Sequence, residues 1–399
     1  MRLLVAIDEH YERTPERRIY STQGTTAHVF WSHLRGVFPD VVVLARVRDV
    51  SAPSESSALA SGPGVEWAPI PDFKGAAECF KQLRQIRKSI RDAILSADAV
   101  LLRAPGIISA LAFRELRRAR RPFGVQVVGD PWEVFGVGQA GGILAPVYRV
   151  FFTRNLKKLC SAAVAVSYVS VSGLRHRYPC SESAYTTSWS DVCLPPTAIQ
   201  DDSVRHRRLA CRRSPADVPT LGLIGSMEQP YKGIDVFLKA LAVLRRRGVA
   251  FQAKIVGEGK LRPSLERLCT QVGVADSVSF LGRLPAGDGI FSFLDGIDLF
   301  VLPSRTEGLP RAMIEAMARG CPAIGTRVGG IPDLLPSECM AAPGDVEGLA
   351  EIMGRLLGNP SEMEQLSVRS TQVAEQYRAE IAHQRRTAFL EELRSRTGA

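Results

Sequence analysis

Residues 303–332 read PSRTEGLPRAMIEAMARGCPAIGTRVGGIP and carry more structural information than any other part of this chain. The apolar run DLFVL at 298–302 is typical of a short buried strand that ends at Pro303. Glu307 and Glu315 stand eight positions apart, and the residues between them form a Gly-Leu-Pro turn and the start of a helical pattern. The stretch therefore predicts a strand, a loop and a helix N-terminus with two carboxylates, which can bind phosphates and hydroxyl groups together.

Outward from this stretch, short apolar runs alternate with longer helical patterns. The predicted strands are residues 3–7, 41–45, 99–103, 124–128, 162–167, 220–225, 251–257, 278–282, 299–302 and 322–325. Strands separated by helices of 10–15 residues indicate βαβ units and parallel sheets. We expect an α/β fold of two doubly wound, Rossmann-like domains facing a cleft, with ligands at the carboxyl ends of the strands.

The boundary between the two predicted domains lies in a proline-rich polar segment. Residues 195–219 contain Pro195, Pro196, Pro215 and Pro219 and lack any apolar periodicity. We therefore predict a first domain over 1–195, a linker over 196–219 and a second domain over 220–375. The remaining residues, 376–399, are predicted to form a helix that packs back toward the first domain.

Composition excludes several classes of protein. The hydrophobic content of 45% and the charged content of 23% are ordinary for a soluble globular protein. No apolar run is long enough to cross a bilayer, and residues 1–7 favour a buried first strand over a signal peptide. The eight cysteines form no Cys-x-x-Cys pair, so neither a zinc site nor a disulfide framework is expected. A reducing cytoplasm is the predicted location.

The net charge of +10 is unevenly distributed. Residues 1–200 hold 25 Lys and Arg against 17 Asp and Glu, a balance of +8, whereas the remainder holds 26 against 24. The excess is densest at 81–88, 114–121 and 149–158. These segments are either plain solvated helix faces or a surface attracted to anionic membrane lipid or to a diphosphate-bearing acceptor. No nucleic-acid-binding motif accompanies the charge.

Two loops of the second half can bind phosphate. After Glu307, Gly308 permits close backbone approach, Pro310 suits a first helical turn, and the following amides open the helix. The alternative is that Glu307 and Glu315 only complement the helix dipole. After the strand at 220–225, the loop SMEQPYKG brings Lys232 next to a glycine, where it either is solvated or meets a diphosphate.

These motifs resemble the retaining GT-B glycosyltransferases of family 4. The resemblance rests on KG at 232–233, VGEGKLR at 256–262, FLG at 280–282, DLFVLPSRTEGLPRAMIEAMA at 298–318 and TRVGGIP at 326–332, which occur in the family's order and spacing. It covers about 150 residues of the second half. The first half is more loosely similar to glycosyltransferases of cell-surface polysaccharide and lipopolysaccharide.

The resemblance implies a role for each matching residue. Glu307 would contact the hydroxyls of the donor sugar, Glu315 the ribose hydroxyls, and Lys232 the diphosphate as the glycosidic bond breaks. The backbone of Gly308, Leu309, Pro310 and Arg311 would contact the diphosphate, Leu284 would lie near the nucleobase, and Gly24 would approach the donor phosphate.

Two departures from the family pattern concern polar groups. Ser226 stands where many relatives have an arginine, so one phosphate cation is missing, and Arg283 and Arg311 are the candidate replacements. Asp130 follows the fourth strand where many relatives have a histidine. Asp130 is therefore the candidate acceptor-side catalytic group, with a simple loop cap as the alternative.

The implied activity is hexosyl transfer, with retention of configuration, from a nucleotide-diphosphate sugar to an envelope polysaccharide or lipid-linked saccharide. UDP- or GDP-sugars are the expected donors, and no cofactor is expected. The chain has no Asp-x-Asp motif, and Lys232 with the helix amides can stabilise the leaving diphosphate, so metal independence is predicted. The expected position is cytoplasmic and peripheral to the inner face of the membrane. A sugar-nucleotide epimerase and a non-catalytic nucleotide-sugar binding protein remain the alternatives.

Overall fold

A computed structural model describes residues 1–22, 26–54, 57–136, 142–170, 172–190, 192–200 and 218–399. The chain folds into two compact units. The first comprises residues 1–189 and 383–399, and the second comprises residues 190–382.

The first unit is built on a mostly parallel sheet with helices between its strands. Its strands are β1 (Arg2–Arg13), β2 (Ile19–Ser21), β3 (Asp40–Asp49), β4 (Ala58–Leu59), β5 (Val65–Pro71), β6 (Ala99–Ala104), β7 (Gly124–Val127), β8 (Ala165–Tyr168) and β9 (Tyr185–Ser188). The parallel strands lie in the order β5-β3-β1-β6-β7-β8-β9, and β2 and β4 extend β1 in antiparallel pairs. The helices are α1 (His28–Ser32), α2 (Gly75–Lys81), α3 (Leu83–Leu95), α4 (Ile107–Ala119), α5 (Pro131–Val134), α6 (Ala145–Ala162) and α7 (Ser172–Arg177).

The second unit has a fully parallel sheet. Its strands are β10 (Thr220–Ile224), β11 (Gln252–Val256), β12 (Val278–Gly282), β13 (Leu299–Leu302), β14 (Ala323–Thr326) and β15 (Met340–Ala341), in the order β12-β11-β10-β13-β14-β15. Its helices are α8 (Ile234–Arg246), α9 (Arg262–Gln271), α10 (Asp288–Asp295), α11 (Arg311–Ala318), α12 (Val346–Leu357) and α13 (Pro360–Ala374). The strand order reverses between β10 and β13, which is the position where doubly wound sheets bind ligands. The predicted class of two doubly wound α/β units is confirmed.

The final helix, α14 (Ala379–Thr397), begins in the second unit and ends in the first. Its side chains Phe389, Leu390 and Leu393 are buried in the same cluster as Leu3 and Val5 of β1. The chain is helical over most of 363–396, but a 3-10 turn at Glu375–Tyr377 interrupts it. Backbone hydrogen bonds to Leu194 accompany this 3-10 turn. The amide of Leu194 donates to the carbonyl of Tyr377, and the carbonyl of Leu194 accepts from the amide of Ala379.

The boundary between the units falls earlier than the predicted residue 195. Val192, Leu194 and Ala198 are buried in the core of the second unit, so that unit begins at Ser190. Most of the predicted linker, residues 201–217, lies outside the described residues. None of the described helices is long and apolar enough to cross a membrane.

Candidate active site

The loops that follow β10 and β13 meet at the carboxyl ends of these neighbouring strands. Lys232 ends the first loop, and its Nζ lies 2.6 Å from Oε1 of Glu307 in the second. The side chains of Lys232 and Glu307 are 17% and 8% exposed, so the pair is largely shielded from water. The structure therefore brings together the two residues for which the sequence predicted sugar and diphosphate contacts.

Two further contacts orient this pair. Ser304, which is fully buried, donates from Oγ to the same Glu307 oxygen at 2.7 Å. The Lys232 ammonium also lies 5.1 Å from the centre of the Tyr231 ring, within cation–π range. A carboxylate held by two donors keeps one orientation, and its second oxygen stays available to other hydroxyl groups.

A glycine makes the close approach of the two loops possible. Gly233 has a φ of +67°, and a Cβ at this position would lie 1.9 Å from the carbonyl oxygen of Pro303. Any other residue would push the loop after β10 away from the loop after β13. The Lys-Gly dipeptide thus has a physical reason: Gly233 admits the approach that places Lys232 beside Glu307.

Arg305 connects the same two loops from the other side. Its guanidinium donates two hydrogen bonds of 2.8 Å to the carboxylate of Asp235 in the first turn of α8, and its amide donates to the carbonyl of Tyr231. Although burial raises the pKa of Asp235, the hydrogen bond and charge of Arg305 leave it below its ordinary value. Neither Arg305 nor Asp235 was predicted from the sequence as a site residue. Only their opposite charges and their places beside the two loops could have indicated the pair.

The loop after β14 supports the turn at Gly308. The amide of Gly330 donates to the carbonyl of Gly308 at 2.7 Å. Gly329 has a φ of +52°, and a Cβ there would lie 1.9 Å from the carbonyl oxygen of Glu307. The double glycine at 329–330 is therefore the sequence signal for this backbone packing, which sequence reasoning did not draw from it.

Helix α11 begins at this turn with amides that have no acceptor within the helix. Pro310 is the N-cap residue and provides no side-chain hydrogen bond to the helix, so the amides of Arg311 and Ala312 open it. Glu315 lies one turn further, 13% exposed, with an oxygen 2.9 Å from Nε of Arg311. This helix end combines a dipole, backbone donors and a carboxylate, as required for an anionic ligand that also carries hydroxyl groups.

The remaining predicted residues of the second unit have different surroundings. Ser226 accepts a bond of 3.2 Å from the amide of Glu228, so its hydroxyl stabilises the loop. Arg311 is paired with Glu315, whereas Arg283 is exposed and makes no ion pair with any described residue. Leu284 packs against the core at the end of β12. Gly24 lies outside the described residues.

Asp130 is 6% exposed and fully engaged with the protein. It is the N-cap residue of α5, accepts from the amide of Trp132 at 2.9 Å and from the hydroxyl of Tyr178 at 2.5 Å, and pairs with Arg177. Burial, and then the hydrogen bond to Asp130, raise the pKa of the Tyr178 hydroxyl above its ordinary value. These contacts are those of the loop cap that the sequence analysis kept as an alternative.

No described set of three or more His, Cys, Asp or Glu side chains is grouped as a metal site would require.

Comparison with known proteins finds a family match over the part of the chain that contains these loops. Residues 218–359 match the family model described as glycosyl transferases group 1. Protein CapJ of Staphylococcus aureus is 24% identical over 330 residues, which cover 82% of this chain and 80% of CapJ. The amylovoran biosynthesis glycosyltransferase AmsK of Erwinia amylovora is 31% identical over 172 residues, which cover 41% of this chain and 42% of AmsK.

Solved structures share the fold. Sucrose-phosphate synthase from Thermosynechococcus elongatus superimposes with a TM-score of 0.70 at 17% identity, over 99% of this chain and 100% of the other. HepE of Anabaena, in complex with UDP and glucose, superimposes with a TM-score of 0.63 at 17% identity, over 98% and 99%. Both likenesses concern the fold.

Proposed function

We propose that this chain, which belongs to the group 1 glycosyl transferases of the GT-B fold, transfers a hexosyl group from a nucleotide-diphosphate sugar with retention of configuration. The observation that carries the proposal is the Lys232–Glu307 pair at the carboxyl ends of β10 and β13, beside the open amides of α11. In this arrangement Glu307 binds donor hydroxyls, Lys232 and the amides of Arg311 and Ala312 bind the diphosphate, and Glu315 binds the ribose.

The chemistry follows from where charge develops. Departure of a nucleoside diphosphate leaves negative charge on the phosphates and positive charge on the sugar ring. An ammonium group and a helix N-terminus stabilise the leaving group in place of a metal ion, which supports the proposed metal independence. Double displacement would need a carboxylate at the anomeric carbon. Glu307 is assigned to donor hydroxyls, so attack on the same face within an ion pair is the proposed route.

The proposed donor is a UDP- or GDP-sugar, and the acceptor is an envelope polysaccharide or a lipid-linked saccharide. Two comparisons support this choice: HepE was solved with UDP and glucose, and AmsK acts in amylovoran biosynthesis. The proposal includes a peripheral position on the cytoplasmic face of the membrane, which the basic surface of the first unit supports.

The test measures release of nucleoside diphosphate from a panel of UDP- and GDP-sugars, with a lipid extract as acceptor and with EDTA present. Lys232→Ala and Glu307→Gln are compared with the matched controls Lys239→Ala and Glu351→Gln, whose side chains are exposed elsewhere in the second unit. We expect a loss of about 10²- to 10³-fold in the two site variants and none in the controls.

Three results would contradict the proposal. Full turnover in both folded site variants would show that Lys232 and Glu307 do not contribute to catalysis. Turnover without an acceptor, yielding an isomerised donor, would favour an epimerase. Donor binding by calorimetry without transfer to any acceptor would favour a binding protein. The anomeric configuration of the product, read by NMR, tests retention separately.

A further inference from the structure

The outward surface around α6 is unusually apolar for a protein surface. Six of the thirteen exposed large apolar side chains among the described residues lie within a short span of the sequence, namely Trp132, Val134, Leu144, Val147, Val150 and Phe151. We call this set the α6 patch. Single exposed apolar residues are ordinary, whereas a contiguous group of this kind marks an interaction surface.

The patch continues into a cationic stripe on the same helix. Val147 and Phe151 are 62% and 53% exposed, and the exposed positions that follow at helical spacing are Arg154, Lys157 and Lys158. The opposite face, with Leu156 and Leu159, is buried in the core. One outward stripe of α6 therefore changes from apolar to basic halfway along the helix. It places apolar side chains beside lysines and arginine, the combination by which burial of apolar area and attraction to anionic lipid act together.

The three cations of the α6 stripe have no carboxylate partner among the described residues. Residues 134–181 contain no Asp or Glu. Arg154, Lys157 and Lys158 form no ion pair with any residue that the structure describes.

The other basic helices of the first unit carry more paired arginines. Arg87, Arg91 and Arg118 all converge on the carboxylate of Glu115, and Arg121 donates to backbone carbonyls of residues 94, 97 and 98. At 81–88 the side chains of Lys81, Arg84 and Lys88 are also exposed without an ion pair to any described residue, but only one large exposed apolar side chain, Phe80, is next to them in the sequence, whereas Val147, Val150 and Phe151 lie at or beside the segment at 149–158.

Within the patch, Arg149 of α6 holds the side chain of Trp132 against the helix. The Arg149 Nε donates to the carbonyl of Trp132 at 2.8 Å, and its guanidinium carbon lies 3.7 Å from the centre of the indole ring. An indole held at the edge of a basic helix suits the headgroup layer, where one side is apolar and the other is wet.

We infer that the α6 patch inserts into the headgroup layer of an anionic bilayer, with Val147, Phe151 and Trp132 at the boundary between headgroups and acyl chains and Arg154, Lys157 and Lys158 on lipid phosphates. This inference rests on the membrane part of the proposed function and assigns it to one surface. Charge favours an anionic bilayer over a second copy of the chain as the partner of the patch, because pairing two α6 patches would bring like charges together.

The test is cosedimentation with vesicles of equal parts phosphatidylglycerol and phosphatidylcholine, and with vesicles of phosphatidylcholine alone. We expect binding to the mixed vesicles that weakens with salt, and little binding to the neutral ones. The double variant Val147→Ser/Phe151→Ser should lower the partition coefficient about tenfold or more. The triple variant Arg154→Gln/Lys157→Gln/Lys158→Gln should lower it about 100-fold.

The matched control Lys81→Gln/Arg84→Gln/Lys88→Gln removes the same charge from exposed positions at α2 and α3. It should change the coefficient by less than about threefold, because these cations lie on α2 and α3, and α3 packs on α4 and β5, whereas α6 packs on α5. An equal loss of vesicle binding in the control would show that only the net charge of the protein matters, and would overturn the assignment of membrane binding to the α6 patch. Self-association of the wild type that the double variant abolishes would identify the patch as an interface between copies instead.

Calorimetry with UDP, repeated with GDP, is run on every variant. Failure of vesicle binding with nucleotide binding intact contradicts the membrane surface alone. Loss of nucleotide binding with vesicle binding intact contradicts the proposed function alone.

Discussion

Lys232 and Glu307 are separated by 75 positions in the sequence, yet Nζ of the first lies 2.6 Å from Oε1 of the second. The distance results from sheet order, since the strands that precede the two residues, β10 and β13, are neighbours. The pair places an ammonium group, which can bind phosphate, beside a carboxylate, which can bind hydroxyl groups.

Replacement of Lys232 by arginine tests whether the site needs a compact cation. The ammonium reaches Glu307 from a glycine-bounded turn, and a guanidinium has a larger planar head and a different donor geometry. We expect Lys232→Arg to keep the fold but to recover about a tenth or less of wild-type kcat. Full activity in steady-state assays with a melting temperature equal to the wild type would show that any positive charge suffices.

Ser304 tests the orientation of Glu307. Its buried hydroxyl donates to Glu307 at 2.7 Å and does not reach solvent. We expect Ser304→Ala to cost about 1 kcal/mol of stability, by urea unfolding, and to raise KM for the donor more than it lowers kcat. An unchanged KM would mean that the Lys232 contact alone orients the carboxylate.

Comparison of Gly233 with Gly248 tests whether a glycine is needed where the two loops approach each other. Both have left-handed φ angles, +67° and +75°, but only a Cβ at Gly233 would collide with another atom, the oxygen of Pro303. Gly248→Ala should cost about 1 kcal/mol from the backbone alone. Gly233→Ala should cost at least about 2 kcal/mol and abolish most turnover, because the two loops must separate. Similar stabilities for the two variants would refute the steric argument.

The Arg305–Asp235 pair predicts a pH dependence of stability. The pKa of Asp235 in the folded protein lies below its ordinary value of 3.8. Its contribution is therefore complete above 3.8 and is lost as the pH falls through the lower folded value. Unfolding free energies of wild type and Asp235→Asn should differ at pH 7 and converge in strong acid. The exposed Arg245–Asp276 pair serves as control, and Asp276→Asn should show a much smaller, salt-sensitive difference.

Substitution of Asp130 tests whether its role is catalytic or structural. Removing its carboxylate takes an acceptor from the hydroxyl of Tyr178, the guanidinium of Arg177 and the amide of Trp132, and Arg177 keeps only Glu133, at 4.0 Å, among the carboxylates paired with it. We expect Asp130→Ala to cost about 2 kcal/mol, since Arg177 is partly exposed and can turn to water. Tyr178→Phe gives the comparison: if both variants are destabilised while kcat of the folded fraction persists, the role is structural. A fall in kcat for Asp130→Ala at full stability would support the acceptor-side assignment.

Sequence patterns located five of the six strands that the structure describes in the second unit, because these five are short apolar runs bounded by glycine or proline; the two-residue β15 was missed. The strands at 278–282 and 299–302 match the structure residue for residue. In the first unit the short antiparallel strands β2 and β4 were missed, and so were the parallel strands β5 and β9. The β5 sequence VEWAPIP contains two prolines, and that of β9 is the polar YTTS. Both are edge strands of the parallel order, where proline and polar residues are tolerated.

The sequence by itself determined the class of fold, the two carboxylates eight positions apart and the lysine before a glycine, because these depend on local periodicity and backbone conformation. Tertiary structure alone decided that Lys232 meets Glu307, that Arg305 ties the two loops together, and that Asp130 is engaged by Tyr178 and Arg177. Each of these contacts joins residues whose proximity depends on sheet order and packing, and local patterns do not contain that information.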